Sequence, residues 1–319
     1  MRFALMSEPQ QGLTYAEFRA LVLTAEEVGF EACFRSDHYA SFPGGPGRPT
    51  TDAWATLAGL ARETTRINLG TLVSPVTFRL PGNFAKVVTT VAEMADGRIE
   101  VGLGAGWNDL EHRQLGLAFP TSGERFDMLE EQLAILHGLW TEPDGWSYDG
   151  RHWQLGEALF YPKPAALPGR RHPNLLIGGR GGPRMADLVA RYADEFNLTS
   201  ASVETAEESF ARVRDACTKI GRDPATVTYS AMCGVLVGED EADVRRRVTE
   251  LFEVIGEPAG SDPEAWLAER RGRWVMGTPE QARARVAQLA EVGVERVMLQ
   301  TFLPRDLEMV RLLGRIFEL

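Results

Sequence analysis

Two pairs of acidic and histidine residues are the best candidates for proton transfer in this chain. Asp37 and His38 follow a short apolar segment, and Glu111 and His112 stand just beyond a glycine-rich run. Histidine titrates near neutral pH, so either pair suits general acid–base catalysis, although each could instead belong to a structural turn. We take His38, Glu111 and His112 as the candidate catalytic residues. Nucleophilic catalysis lacks support, because the sequence has neither a Gly-x-Ser-x-Gly nor a Gly-Lys-Ser/Thr motif.

A glycine-rich run ending on a tryptophan is suited to binding a flat ring. Residues 102–107 read Gly-Leu-Gly-Ala-Gly-Trp and follow the apolar segment 99–101. Glycines at alternate positions let a ligand approach the backbone closely, since no Cβ intervenes. Trp107 could stack on such a ring or form one wall of its pocket; the alternative is a buried structural aromatic. The run lacks the last glycine of a dinucleotide-binding fingerprint, so a phosphate should be held elsewhere.

A second glycine-rich segment is the best candidate for binding that phosphate. It reads Gly178-Gly179-Arg180-Gly181-Gly182-Pro183-Arg184 and leads into a predicted helix. Free backbone N–H groups at a helix N-terminus bind anions, and the two arginines could add charge-assisted hydrogen bonds. Thr199 and Ser200, at the end of the next predicted strand, could add hydroxyl donors. The alternative is a plain turn between strand and helix.

These candidate residues stand where predicted strands end and loops begin. Short apolar segments that predict strands alternate with segments of helical period. The predicted strands are Arg2–Met6, Ala32–Arg35, Ile67–Leu72, Ile99–Leu103, Asn174–Ile177, Glu195–Leu198, Val227–Val237 and Arg296–Leu299. The predicted helices are Thr14–Val28, Asp52–Glu63, Pro81–Ala95, Ser122–Trp140, Pro183–Tyr192, Ala206–Ile220, Glu241–Ile255, Pro279–Glu291 and Arg305–Phe317.

The alternation predicts an α/β fold, a (β/α)8 TIM barrel that takes in residues 1–319 as a single domain. A doubly wound open sheet is the alternative. Long connections predict insertions after strands 4 and 7, around residues 103–121, 141–172 and 256–277. Because long aromatic-rich insertions often build binding sites, Trp153, Phe160 and Tyr161 are assigned with Trp107 to the substrate pocket.

The composition narrows the class of protein. A formal net charge of −11 over 319 residues argues against binding nucleic acid or an anionic membrane surface. Three cysteines without close pairing favour a reducing compartment, and no Cys/His cluster has the spacing of a metal site. No apolar run approaches the ~20 residues needed to cross a bilayer. We expect a cytoplasmic protein with a small-molecule substrate and no metal.

Together these residues resemble the luciferase-like monooxygenase superfamily, the flavin- and deazaflavin-dependent (β/α)8 barrels, over almost the whole chain. The resemblance is greatest to the branch that uses the deazaflavin coenzyme F420. Its most specific matches are the segments Phe34-Arg35-Ser36-Asp37-His38, Gly70-Thr71-Leu72-Val73-Ser74-Pro75, Gly102-Leu103-Gly104-Ala105-Gly106-Trp107-Asn108, Ile177-Gly178-Gly179 and Ala190-Arg191-Tyr192-Ala193-Asp194-Glu195-Phe196-Asn197, together with Glu111-His112 and Gly116.

The resemblance implies a place for each cofactor-binding residue. Asp37 and His38 would lie over the reacting face of the ring, and a non-prolyl cis peptide at Leu72–Val73 would support its back face. The resemblance places Ala105 and Gly106 along the edge of the ring. It places Gly178, Gly179 and Thr199 at the phosphate, near Arg180, Gly181, Gly182, Arg184 and Ser200. It also implies a homodimer, formed through the second and third barrel helices.

Two departures from the family pattern bear on the substrate and the cofactor. Some deazaflavin dehydrogenases have a catalytic glutamate at the position that Trp107 occupies here, which argues against oxidation of a sugar phosphate. Those enzymes also hold phosphate with a lysine near Ser202, and none stands there in this chain. Flavin mononucleotide (FMN) therefore remains open as the alternative cofactor.

Three functions follow from the resemblance. The first is an oxidoreductase that transfers a hydride between F420 and an apolar small organic substrate, such as an unsaturated one, with His38 or Glu111 moving the proton. The second is an FMN-dependent two-component monooxygenase of the same fold. The third is a barrel that keeps the cofactor site for storage or sensing without turnover.

Overall fold

A computed structural model describes all of residues 1–319. Its centre is a sheet of parallel strands that helices connect along the chain. The strands of this sheet are β1 (Arg2–Ser7), β2 (Ala32–Arg35), β3 (Asn68–Pro75), β4 (Ile99–Gly104), β7 (Asn174–Gly179), β8 (Glu195–Thr199), β9 (Thr228–Val237), β10 (Val275–Gly277) and β11 (Arg296–Thr301).

The sheet closes on itself. β1 pairs with β11 along its whole length, β11 pairs with β9, and β9 pairs with β8, which completes the circuit through β7, β4, β3 and β2. The short β10 adds to the end of β9 beyond the circuit. An open sheet would leave two edge strands unpaired, so these pairings exclude the doubly wound alternative and confirm the (β/α)8 barrel.

Helices connect the strands and cover the outside of the barrel. Several begin at side-chain caps, including complete capping boxes at Thr14 and Thr121. The helices are α1 (Tyr15–Val28), α2 (Ala53–Glu63), α3 (Pro81–Met94), α4 (Asp109–Leu115), α5 (Ser122–Thr141), α6 (Pro183–Tyr192), α7 (Val203–Lys219), α8 (Glu241–Ile255), α9 (Pro263–Arg270), α10 (Pro279–Glu291) and α11 (Leu307–Phe317). None of them is both long and apolar enough to cross a bilayer.

The insertions contain structure that the sequence patterns do not predict. The connection after β4 includes the short helix α4, and the segment after α8 holds α9 and β10. Between α5 and β7 lies an antiparallel hairpin of β5 (Trp146–Asp149) and β6 (Gln154–Ala158). The turn of this hairpin folds back onto α5, where the Glu131 carboxylate accepts hydrogen bonds from the N–H groups of residues 151–153.

The buried interior consists of two apolar layers and one ion cluster. The larger layer lies between strands and helices, and a smaller one inside the barrel includes Phe34, Leu176 and Met298. Nearer the N-terminal ends of the strands, buried Arg296 lies 2.7 Å from Glu100 and 3.0 Å from Glu195. Because both carboxylates face one guanidinium in a water-poor interior, this cluster holds β4, β8 and β11 together by charge.

Candidate active site

A deep cavity opens where the barrel strands end. Its volume is about 840 Å³, within the size range typical of small-molecule sites. Residues at the C-terminal ends of the strands line it, together with residues 42–43 and the first turns of α5 and α6. This is the end of a (β/α)8 barrel at which active sites are built, because eight loops converge there.

The cavity brings together most of the residues that the sequence predicts for the site. His38 and Glu111 meet there with Trp107, although they come from different strand ends. The predicted residues that line the cavity are His38, Leu72, Val73, Ala105, Gly106, Trp107, Glu111, Gly178, Gly179, Arg180, Gly182, Arg184, Thr199 and Ser200. Strand ends that are far apart in sequence therefore supply one continuous surface.

Three predicted residues, Asp37, His112 and Gly181, do not line the cavity and lie behind its wall. Asp37 is fully buried and faces Ser74 and Arg79. Buried His112 bridges Thr77 Oγ1, 2.6 Å from its Nε2, and the Asn108 carbonyl oxygen, 2.7 Å from its Nδ1. Gly181 lies against Ser209 and Phe196. Each is a sequence neighbour of a lining residue, and adjacent residues of a strand or helix point in different directions.

The aromatic insertion between α5 and β7 does not line the cavity, so Trp153, Phe160 and Tyr161, which the sequence assigns to the substrate pocket, lie outside it. Phe160 is buried beneath the Lys86 ammonium group, 4.1 Å from its ring centroid. Tyr161 is exposed and donates to Asp144, 2.5 Å away. The insertion follows a helix rather than a strand, so it begins at the opposite end of the barrel from the cavity.

His38 and Glu111 form the main polar contact of the site. Nδ1 of His38 lies 2.8 Å from Oε1 of Glu111, whose side chain is 1% exposed. Oε2 of Glu111 accepts hydrogen bonds from the N–H groups of Tyr39, at 2.8 Å, and Ala40, at 3.3 Å. Helix α4 thus supplies a buried acceptor that fixes the loop carrying His38. Without this carboxylate the N–H groups of Tyr39 and Ala40 would lose their hydrogen-bond acceptor.

A buried ion network holds the same loop from behind. Arg79 lies 2.5 Å from Asp37 and 2.6 Å from Asp52. Ser74 Oγ donates to Asp37 at 2.6 Å and accepts from the Trp54 indole N–H at 3.0 Å. Burial by itself lowers the pKa of Arg79, but the charge and hydrogen bond of Asp37, together with Tyr39 and Asp52, outweigh it and raise that pKa. Arg79 therefore stays charged and clamps the ends of β2 and β3.

Aromatic rings surround the imidazole. The Phe42 ring meets His38 edge-on at 4.6 Å between centroids, and the Trp107 ring does so at 5.8 Å. Phe42 and Trp107 also contact each other, at 5.3 Å. These contacts limit rotation of the His38 ring. Trp107 is 66% exposed, so it stands at the mouth of the cavity rather than in a core.

A smooth wall of glycines and one valine faces the cavity on β3, β4 and β7. The peptide bond between Leu72 and Val73 is cis, as the resemblance implies. A Cβ on Gly104 would stand 2.6 Å from Val73 Cγ2, and one on Gly178 would stand 2.8 Å from Val73 Cγ1. Because neither space exists, only glycine lets Val73 occupy its place on the wall.

The first turn of α6 offers anion donors. Its N-cap residue is Gly182, which has no side chain to occupy the free N–H groups, and nothing lies within 4 Å of where its Cβ would be. Arg180 is exposed and forms no ion pair, whereas Arg184 is held by Asp127 and the Gly123 carbonyl oxygen. The geometry suits a phosphate, with Arg180 the more available cation.

Sequence reasoning missed several lining residues. Glu8 follows β1 and accepts a hydrogen bond from Gln300 Nε2 at 2.5 Å, so both occupy the floor of the site. Phe42, Met232 and Phe302 add apolar surface. Reading every strand end with equal weight would have found Glu8 and Gln300. The apolar residues carry no such signal, because they resemble core positions in the sequence.

Comparison with known proteins agrees with this architecture. The family model described as luciferase-like monooxygenase matches residues 1–296. An F420-dependent glucose-6-phosphate dehydrogenase from Nakamurella multipartita is 31% identical over 257 residues, covering 79% of this chain and 68% of that protein. Further curated relatives are matched over 50% to 62% of their own length.

Solved structures share the fold across nearly the whole chain. An F420-dependent secondary alcohol dehydrogenase in complex with an F420–acetone adduct superposes with a TM-score of 0.81, at 19% identity and 99% and 97% coverage of the two chains. The oxygenating constituent of 3,6-diketocamphane monooxygenase from Pseudomonas putida, in complex with FMN, gives 0.77 at 15% identity, with the same coverage. With the family model matched over most of its length, the chain belongs to the luciferase-like monooxygenase family.

Proposed function

We propose that the protein is an oxidoreductase that transfers a hydride between coenzyme F420 and an apolar small organic substrate, such as an unsaturated one. The observation that carries this proposal is a single cavity that joins a helix N-terminus without a side-chain cap, a smooth glycine wall and an oriented histidine. The relative from Nakamurella multipartita is named as F420-dependent, and that name supports F420 as the cofactor.

The residues present fit such a cofactor. The N–H groups at the start of α6, with Arg180, Thr199 and Ser200, would hold its phosphate. Val73, Gly104 and Gly178 form a surface without protruding side chains, which suits a planar ring. When bound, F420 supplies a carbon that accepts or donates the hydride. The protein then has to bind the substrate, exclude water and move one proton.

The proton is assigned to His38. It lines the cavity with 13% of its side chain exposed, and it is the only histidine there. Imidazole exchanges protons readily near neutral pH, so it suits transfer in either direction of the reaction. Trp107 has no ionisable group. The proton therefore has no donor at the position where some family members have a glutamate.

An apolar substrate is favoured by the remaining surface. Phe42, Trp107, Met232 and Phe302 supply side chains that gain from excluding water. Glu8 and Gln300 supply the polar groups of the floor. The Glu8 carboxylate disfavours an anionic group on a substrate bound beside it. A sugar phosphate carries such a group, so this site is less suited to the glucose-6-phosphate oxidation for which the relative above is named.

The FMN-dependent monooxygenase remains the alternative, because a structure of that kind shares the fold in complex with FMN. Titration of the purified protein with each cofactor separates the two. We expect F420 to bind with micromolar or tighter affinity and reduced F420 to be consumed without oxygen by unsaturated or carbonyl compounds. Micromolar FMN binding without F420 binding, or product formation that requires oxygen, would contradict the proposal.

We also propose a homodimer formed through α2 and α3. Leu80, the N-cap residue of α3, is 62% exposed, and Val87 within α3 is 36% exposed. Exposed apolar side chains of this kind suit a helix face that a second subunit covers. Light scattering should give twice the monomer mass of 35.2 kDa. A mass that stays at the monomer value at high concentration would refute it.

A further inference from the structure

We propose that Glu111 is a positioning residue, not a proton carrier: it fixes the tautomer of His38 so that Nε2 is the atom that exchanges the proton. The inference rests on the proposed function for its consequence in catalysis. The tautomer of His38, on which the inference depends, can be measured without any cofactor. His38 and Glu111 thus have separate roles: His38 exchanges the proton and Glu111 orients His38.

Glu111 has no free oxygen to act on a substrate. Oε1 faces His38 Nδ1 at 2.8 Å, and Oε2 receives the N–H groups of Tyr39 and Ala40. The side chain is 1% exposed, so substrate atoms have almost no access to it. A carboxylate in this state accepts hydrogen bonds only.

The consequence for His38 is a defined proton position. Because the carboxylate can only accept, Nδ1 must carry the hydrogen, and Nε2 of the neutral ring then has a lone pair. No protein group forms a hydrogen bond with Nε2. The edge contacts from Phe42 and Trp107 oppose a flip of the ring that would exchange the two nitrogens. Nε2 is thus the proton acceptor or, in the imidazolium form, the donor.

The substitution Glu111→Gln tests this arrangement sharply. The N–H groups of Tyr39 and Ala40 need an acceptor, so the glutamine carbonyl oxygen should take the place of Oε2. Its NH2 group then faces Nδ1 and donates to it. The loop keeps its hydrogen bonds while the hydrogen of His38 moves to Nε2, which reverses the two nitrogen roles.

The experiment is nitrogen-15 NMR of histidine-labelled protein at mildly alkaline pH, where imidazole is neutral. The chain has five histidines, and the spectrum of His38→Ala assigns the signal of interest. We expect the Nδ1–H tautomer in the wild type and the Nε2–H tautomer in Glu111→Gln. Asp109→Asn is the matched control: it lies on the same helix, and its exposed carboxylate pairs with Arg113 away from His38.

The kinetic readout follows from the same reversal. In the direction in which F420 accepts the hydride and Nε2 of His38 accepts the proton, Glu111→Gln should lower kcat about 100-fold or more, with little change in KM or F420 affinity. Asp109→Asn should match the wild type. A wild-type Nε2–H tautomer, or an unchanged tautomer in Glu111→Gln, overturns the inference. Absence of F420 binding beside the expected tautomers would instead refute the proposed function alone.

Discussion

At the scale of single residues, substitution of His38 should slow the reaction while leaving cofactor binding nearly unchanged. His38→Asn keeps a polar side chain of similar reach but loses the exchangeable ring proton. The expected result is a fall in kcat of about 100-fold or more with F420 affinity changed only a few-fold. Stopped-flow measurement of reduced F420 consumption gives the first quantity, and equilibrium titration gives the second. His152→Asn, outside the cavity, is the control; equal loss in both variants would count against a specific role for His38.

The sequence could identify which strand ends meet at the cavity, but not which of two neighbouring residues faces it. His38 and Asp37 are adjacent, yet one lines the cavity and the other pairs with Arg79. Glu111 and His112 divide in the same way, since consecutive helical residues point about 100° apart. For Asp37 and His38, the residue that faces inward depends on how Arg79 and Ser74, which are distant in sequence, hold the loop.

At the scale of elements, the close contact of β3, β4 and β7 makes a specific prediction. Gly178→Ala places a methyl group 2.8 Å from Val73 Cγ1, so Val73 must move into the cavity or the strands must part. We expect F420 affinity to fall about tenfold or more and the free energy of unfolding to fall by about 1–3 kcal/mol. Calorimetric titration and urea unfolding measure the two effects.

Gly156→Ala, at an open position of the β5–β6 hairpin, is the matched control and should leave both quantities unchanged. Unaltered F420 affinity in Gly178→Ala would show that the valine–glycine wall is not part of the cofactor site. A drop in stability alone, with full affinity, would lead to the same conclusion.

Long periodic elements were predictable, whereas short ones were not. The eight barrel strands and the long helices lie close to the predicted ranges, because apolar periodicity and end caps mark them. Helix α4 is too short for a clear period, and the β5–β6 hairpin lies in a segment rich in prolines and aromatics. The hairpin packs on α5 through Glu131, a contact between residues twenty or more positions apart that no local pattern encodes.

At the scale of the whole molecule, the buried ions at the N-terminal end of the barrel predict a pH-dependent stability. Burial raises the pKa of Glu100, but the charge and hydrogen bonds of Arg296 outweigh it and lower that pKa to about 2. Burial raises the pKa of Glu195, which shares the same guanidinium. The wild type therefore keeps the Glu100–Arg296 contribution to stability until the pH falls below the usual glutamate range toward 2.

Arg296→Met removes the cation and leaves both carboxylates buried. Their pKa values in the folded state should then rise above the unfolded values, so the folded state loses stability as pH rises and regains it as pH falls. We expect a loss of about 3–5 kcal/mol near neutral pH that shrinks between roughly pH 8 and pH 5. Denaturant unfolding across this range measures it. Arg315→Met, in an exposed pair with Glu239, should change stability little at any pH; a loss in Arg296→Met that does not vary with pH would contradict the charge argument.

A crystal structure of the protein in complex with F420 would test the central claim most directly. The predicted result is a ring against Val73, Gly104 and Gly178, with the phosphate on the N–H groups at the start of α6 and beside Arg180 and Thr199. His38 should present Nε2 to the space where a substrate would lie. A cofactor bound elsewhere, a phosphate away from α6, or a cavity that takes only FMN would contradict the proposed function.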